Sequence, residues 1–323
     1  MFGNGSGMRL MCTAGVAVLA AACAAGSTPE PSASAVASVG ASPAESSSPG
    51  MGSLVVLADG VQGGLGLWTL DGTKWVQLGP TPDATAIGRG PGGIAIAAGN
   101  RLELRSRSEL REPGAISTST WSAAAPSQPI VGLDTSSAGR LALVAADEQG
   151  VAYFIGGDGG AMIPLSPAPV QPFAALVRWL DDARLLVLST DNLQVSRLAV
   201  VGTDNHTLSS AASLSGVRAV SASGDGGTVA AATESGVYVG PLAAFQAQTP
   251  PAPIANIGDA QVVWALALNA TGSQVFLLSG TVAPDGHVTS IHELGYEKQG
   301  SGWTQILDSA APFARAIGQV YLA

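Results

Sequence analysis

The sequence predicts an all-β fold: a six-bladed β-propeller closed by pairing the C-terminal strand with the N-terminal blade, with seven blades as the alternative count. Three observations carry this expectation. The composition favours strands over helices, one strand-turn-strand phrase recurs along the chain, and the incomplete copies at either end complement each other.

The chain has 323 residues, 46% of them hydrophobic, enough for a sizeable core in one large domain or two smaller ones. Only 11% are charged, the net charge is -9, and the lysines are Lys74 and Lys298. A protein that grips a polyanion normally carries a basic excess, so no nucleic-acid partner is expected. Abundant Gly, Ala, Ser and Val, with few Lys and Glu, points to strands joined by tight turns.

Taken in chain order, residues 8–23, "MRLMCTAGVAVLAAAC", carry one positive charge at Arg9, an apolar run from Leu10 to Leu19, and small residues leading to Cys23. This is the layout of a secretory signal, short for a membrane-spanning helix. It resembles the bacterial lipoprotein signal, with Ala20-Ala21-Ala22-Cys23 as its lipobox and Leu19 one residue ahead of the box. The resemblance implies cleavage before Cys23, its acylation, and a chain held on the outer side of the cytoplasmic membrane. The two cysteines are Cys12 and Cys23, so that cleavage leaves no disulfide within the mature chain. Residues 24–52 are a Ser/Ala/Pro/Gly segment without hydrophobic periodicity, expected to act as a flexible tether.

The propeller is expected over residues 53–323. Five copies of the phrase begin at Ala84, Ile130, Leu176, Val217 and Val262, each reading strand, tight turn, strand, turn, strand. With the second strand as a ruler, Ile94, Leu141, Leu185, Val229 and Val275 are 47, 44, 44 and 46 residues apart. That is the length of one four-stranded blade. Fourth strands are expected in places, as in "AMIPL" from Ala161 and "WTQIL" from Trp303. The segment from Ser53 supplies second, third and fourth strands without a first. "FARAIGQVYLA", from Phe313, reads as a first strand with no blade after it, and its Ala316-Ile317-Gly318 repeats Ala86-Ile87-Gly88. Pairing the two completes a sixth copy and leaves no open edge between the first and last blades.

The polar turns between first and second strands, such as "DTSSAGR" and "SGDGG", resemble those of TolB-like and WD40-like bacterial propellers. The resemblance covers about Gly52 to Ala323 and is one of architecture, since no blade carries a Trp-Asp signature. It implies a rigid disc with a central channel, used for protein contact.

No motif assigns a reaction. Gly88, Gly90 and Gly93 match the dinucleotide fingerprint, but they lead into the strand-like "IAIAA" instead of a helix whose N-terminus could receive a pyrophosphate. His287 and His292, five apart in one expected strand, should point to opposite faces, and His206 sits in a polar turn. Asp158, Asp225 and Asp285 stand beside glycines without the alternating acids of a calcium loop, which is ordinary turn chemistry. No catalytic residue, metal site or cofactor is expected.

Aligning the first strands places Thr85, Arg218, Trp264 and Arg315 at one level, with Arg178 and Trp179 close to it. Inner strands line a propeller's channel, so Arg178, Arg218, Trp264 and Arg315 are the candidate channel-binding residues, suited to a carboxylate or phosphate. The functional expectation is a non-catalytic, lipid-anchored propeller that binds a protein, peptide or cell-envelope component. The alternative is a metal-dependent hydrolase of the six-bladed lactonase type, which would have to draw on Asp134, Asp181 and Asp182.

Overall fold

Hydrogen bonding sorts the strands into four-stranded antiparallel sheets, six among the described residues. The computed structural model describes residues 54–322 except 61–63, 91, 100, 112–118, 121–128, 148–149, 157–161, 165–175, 191–195, 204–207, 212–213, 215, 248–249, 259 and 286. The expected signal, the tether, Cys23, Asp158 and His206 lie outside the described residues.

The first sheet holds β1 (Leu54–Gly60), β2 (Gly64–Asp71) and β3 (Lys74–Pro80). The second holds β4 (Ala84–Gly90), β5 (Gly93–Ala98), β6 (Arg101–Ser106) and β7 (Ser119–Thr120), with the short helix α1 (Arg107–Arg111) between the last two. The third is β8 (Ile130–Thr135), β9 (Leu141–Asp147), β10 (Gly150–Gly156) and β11 (Met162–Pro164). The fourth is β12 (Leu176–Trp179), β13 (Arg184–Thr190), β14 (Ser196–Gly202) and β15 (Leu208–Ala211). The fifth is β16 (Ala219–Ala222), β17 (Thr228–Ala232), β18 (Gly236–Pro241) and β19 (Pro253–Asn256), with α2 (Leu242–Gln246) after β18. The sixth is β20 (Gln261–Leu268), β21 (Gln274–Val282), β22 (Val288–Gln299) and β23 (Gly302–Ala311).

The last strand, β24 (Phe313–Tyr321), returns to the first sheet, whose order is β24-β1-β2-β3. Its register runs from Leu54 opposite Tyr321 to Gly60 opposite Phe313, with two irregularities on the way. The innermost strands β24, β4, β8, β12, β16 and β20 touch one another in that cyclic order, so the sheets form a ring.

Each pair of neighbouring sheets encloses its own apolar layer, and strand alternation deals side chains to both sides. In β1, Val55 and Leu57 pack toward the second sheet, whereas Leu54, Val56 and Ala58 pack toward the sixth. In β5, Ile94 and Ile96 face the first sheet, and Ala95 and Ala97 face the third. A strand covered on both faces reads as a continuous apolar run, which explains "GIAIAA" and "TVAAA". The ruler residues Ile94, Leu141, Leu185, Val229 and Val275 are all buried near the starts of their second strands.

Two glycines show how tightly the ring is drawn. Gly226, in the turn between β16 and β17, has φ +66°, and a Cβ there would fall 1.6 Å from the Leu180 carbonyl oxygen of the fourth sheet. Beside it, Asp225 Oδ1 accepts from the Ser223 hydroxyl and the Gly227 amide, the turn chemistry expected of this residue. Gly88 lies where a Cβ would be 2.1 Å from the Leu133 carbonyl oxygen of β8. The glycine that opens the apparent dinucleotide fingerprint thus serves strand-to-strand approach.

Deleting Phe313 to Ala323 uncovers β1 along its whole length and opens the apolar layer shared with the sixth sheet. The truncated protein is expected to lose its cooperative thermal transition, or to melt at least about 10 °C lower, by circular dichroism.

Candidate functional site

The six inner strands surround a narrow axis. One cavity of about 40 Å³ is lined by Ile87, Gly132, Arg178, Val220, Trp264 and Gln319, among others, drawing on all six strands. A second, of about 20 Å³, is lined by Arg89, Asp134, Arg178, Ser221, Leu268 and Gln319, among others. On all six strands the first set reaches nearer the strand start, so the inner strands run in one direction along the axis. A single water needs roughly 10–15 Å³ of such space, so these volumes suit water-sized occupants.

At the strand ends Asp134 holds three sheets together. Its fully buried carboxylate accepts from Arg89 Nε at 2.9 Å, Arg89 Nη2 at 2.5 Å and the Trp179 amide at 2.8 Å. Arg89 Nη2 also donates to the Trp179 carbonyl at 2.9 Å. Strands β4, β8 and β12 are therefore tied at one level by charge-assisted bonds. The neighbouring Arg178 is also buried, and its Nη1 donates to the carbonyls of Leu133 (3.3 Å) and Val177 (2.8 Å). Burial pulls its pKa below the ordinary arginine value; Asp134 opposes the shift and Arg89 adds to it.

A roomier space opens between the fifth and sixth sheets. This groove, of about 360 Å³, is walled by Asn256, Ser279, Ser290, His292, Gln305 and Asp308, among others. His292 Nδ1 stands 2.7 Å from Asp308 Oδ1, a pairing between adjacent strands β22 and β23. Tyr296, on the same face of β22, has its phenol pKa pushed up by burial and then by Asp308. Asn, Gln, Ser, Thr and Tyr give the groove donors and acceptors, and among the described residues no Lys or Arg lines it.

No protein-family model matches the chain, and no curated protein matches it by sequence. Solved structures do. A protein assigned as TolB from Agrobacterium tumefaciens shares 12% identity and a TM-score of 0.57, covering 83% of this chain and 93% of its own. TolB from Acinetobacter baumannii shares 10% identity and a TM-score of 0.59, covering 83% of this chain and 66% of its own. The fold is a TolB-like β-propeller. The periplasmic gluconolactonase of Pseudomonas aeruginosa shares 15% identity over 84% of this chain and 98% of its own, with a TM-score of 0.47.

Within this propeller, Arg178 and Trp264 line the same cavity. Arg218 stands just before β16, exposed, and pairs with Glu234. Arg315 is exposed near the start of β24, two residues ahead of Ile317 in the cavity wall. The structure thus joins two of the four candidates and leaves two at the rim. Asp182 accepts from Ser137 Oγ and the Ala138 amide, and Asp181 pairs with Arg184 at 2.7 Å, so both serve turns.

The pair that sequence reading missed is His292 with Asp308. The pattern flagged His292 against His287, which lies just before β22, whereas its partner is 16 residues on in the next strand. Only the register, with Leu294 opposite Asp308, could have signalled it.

Asp134→Ala leaves the Arg89 guanidinium and the Trp179 amide without their acceptor, and should cost about 3–5 kcal/mol in urea unfolding. Asp182→Ala, at an exposed turn, should leave the unfolding midpoint almost unchanged.

Glu293, on the opposite face of β22 from the groove, is fully buried, and burial pushes its carboxyl well above the ordinary glutamate value, with the Gln319 amide opposing. Because the folded-state pKa is the higher one, this acid contributes its stability in full below the unfolded value of about 4.3. That stability is lost as the pH climbs from there toward the folded-state pKa. Glu293→Gln should therefore melt higher than the parent by a few degrees at about pH 8, with a flatter melting profile between about pH 4 and 8.

Proposed function

We propose that this chain is a six-bladed, non-catalytic binding propeller, lipid-anchored through Cys23 on the outer side of the cytoplasmic membrane, whose groove between the fifth and sixth sheets receives a protein, peptide or cell-envelope component. The contrast in space carries the reading: about 360 Å³ in the lateral groove against about 40 and 20 Å³ on the axis. A macromolecular partner needs polar groups to pair with, and the groove presents Ser290, Asn256 and the ring edge of His292 that is turned away from Asp308. The anchor rests on the signal-like residues 8–23 and the Ser/Ala/Pro/Gly segment that follows. The lactonase-type alternative draws on Asp134, Asp181 and Asp182, and all three are committed to partners within the protein.

One cellular experiment tests both parts. A photo-crosslinking residue is placed at Gln305 in the groove or at Lys74 on the first sheet, in the parent and in Cys23→Ala. The expected result is a discrete adduct from position 305 and none from 74, recovered with membranes in the parent and in the soluble fraction after Cys23→Ala. Equal adducts from both positions would remove the groove as the binding surface, and membrane retention of Cys23→Ala would remove the lipid anchor.

A further inference from the structure

The charge balance on the axis does not close. Two guanidinium groups, Arg89 and Arg178, line the smaller cavity with one carboxylate, Asp134. The remaining inner strands contribute uncharged groups to the two cavities, among them Ser221, Trp264 and Gln319. Glu293 reaches toward Gln319 from the interface of the sixth and first sheets, where burial favours its neutral acid form.

Asp134 has nothing left for the second cation. Its two oxygens accept from Arg89 Nε, Arg89 Nη2, the Arg89 amide at 3.3 Å and the Trp179 amide, which accounts for the roughly four acceptor positions of a carboxylate. Arg178 offers five N–H groups. Nη1 donates to two backbone carbonyls, and Nε and Nη2 have no acceptor among the described residues. The residue is 9% exposed, and it borders both cavities. An arginine keeps its charge at any physiological pH, so the molecule cannot relieve the imbalance by losing a proton. Two buried or half-buried cations thus share one carboxylate, and burying the surplus positive charge is disfavoured.

We propose that the propeller axis is a binding site for a small monovalent anion of the chloride class, held beside Arg178 as its counter-ion. The cavities set the size limit, because about 40 and 20 Å³ suit an ion comparable to a water molecule. An organic acid or a phosphate ester carries more bulk than that. The ion would add a second tie between β12 and the axis, beside the bond that the Trp179 amide makes to Asp134. It lies away from the lateral groove and does not depend on the function proposed for it.

The test is thermal unfolding of the full mature chain at fixed ionic strength, with chloride exchanged for gluconate. Binding to the folded state raises the midpoint, by several degrees at about 0.5 M chloride if that is on the order of 100 times Kd. Arg178→Gln should abolish the dependence on chloride. An unchanged midpoint in the parent, or a dependence that survives in Arg178→Gln, would overturn the site in favour of water alone or of binding elsewhere. Should that variant not fold, crystals of the parent soaked in bromide decide the matter. An anomalous peak in hydrogen-bond contact with the Arg178 guanidinium supports the site, and its absence refutes it.

Discussion

A ring of sheets is stable as a ring only if its first and last members are joined, and here the joint lies inside a single sheet. β24 hydrogen-bonds to β1 along the length of that strand, so no seam between blades is left to apolar contact alone. Every other feature of the architecture presupposes this pairing. With β24 in place, Val56 and Ala58 face Phe276 and Leu278 of the sixth sheet, and the first sheet covers the second through Val55 and Leu57. Without it, two apolar layers would each lose a wall.

The ring also has a polar grammar written at the repeat spacing. Thr85 Oγ1 donates to the Ile130 carbonyl, Arg89 pairs with Asp134, and the Trp179 amide donates to Asp134, each pair 45 residues apart. The Leu268 amide donates to Ser221 Oγ across a separation of 47. Equivalent positions of successive inner strands therefore meet at one level, because parallel strands around an axis bring like points together. The side chains differ from sheet to sheet, so each junction uses its own chemistry. Asp134 and Arg89 supply the strongest, and Arg178 stands beside them at that level.

This arrangement separates a tight axis from a roomier flank. The axis is drawn in until glycines such as Gly88 are required by the next strand's carbonyl, which leaves space for water-sized occupants. Outer strands have no such constraint. β22 and β23 are 12 and 10 residues long, and together with β19 they frame the lateral groove. The polar side chains there hang on a sheet fixed from the inside, which is the placement a binding surface needs.

Strand identity, turn positions, the repeat and the complementarity of the chain's two end strands were legible in the residues alone. Each is a local property, set by two-residue alternation and by the backbone demands of turns such as Ser223 to Gly227, and repetition multiplied the signal. Placing Arg178 and Trp264 on the axis followed from the same alignment. The bore of that axis did not, and neither did the exposure of Arg218 and Arg315 at its rim, because a shift of one or two residues along a strand moves a side chain from the wall to the solvent. The partners of Asp134, the meeting of His292 with Asp308, and the groove between the fifth and sixth sheets were decided by tertiary structure. They depend on distances between strands 16 or 45 residues apart in the chain, and no local pattern encodes those distances.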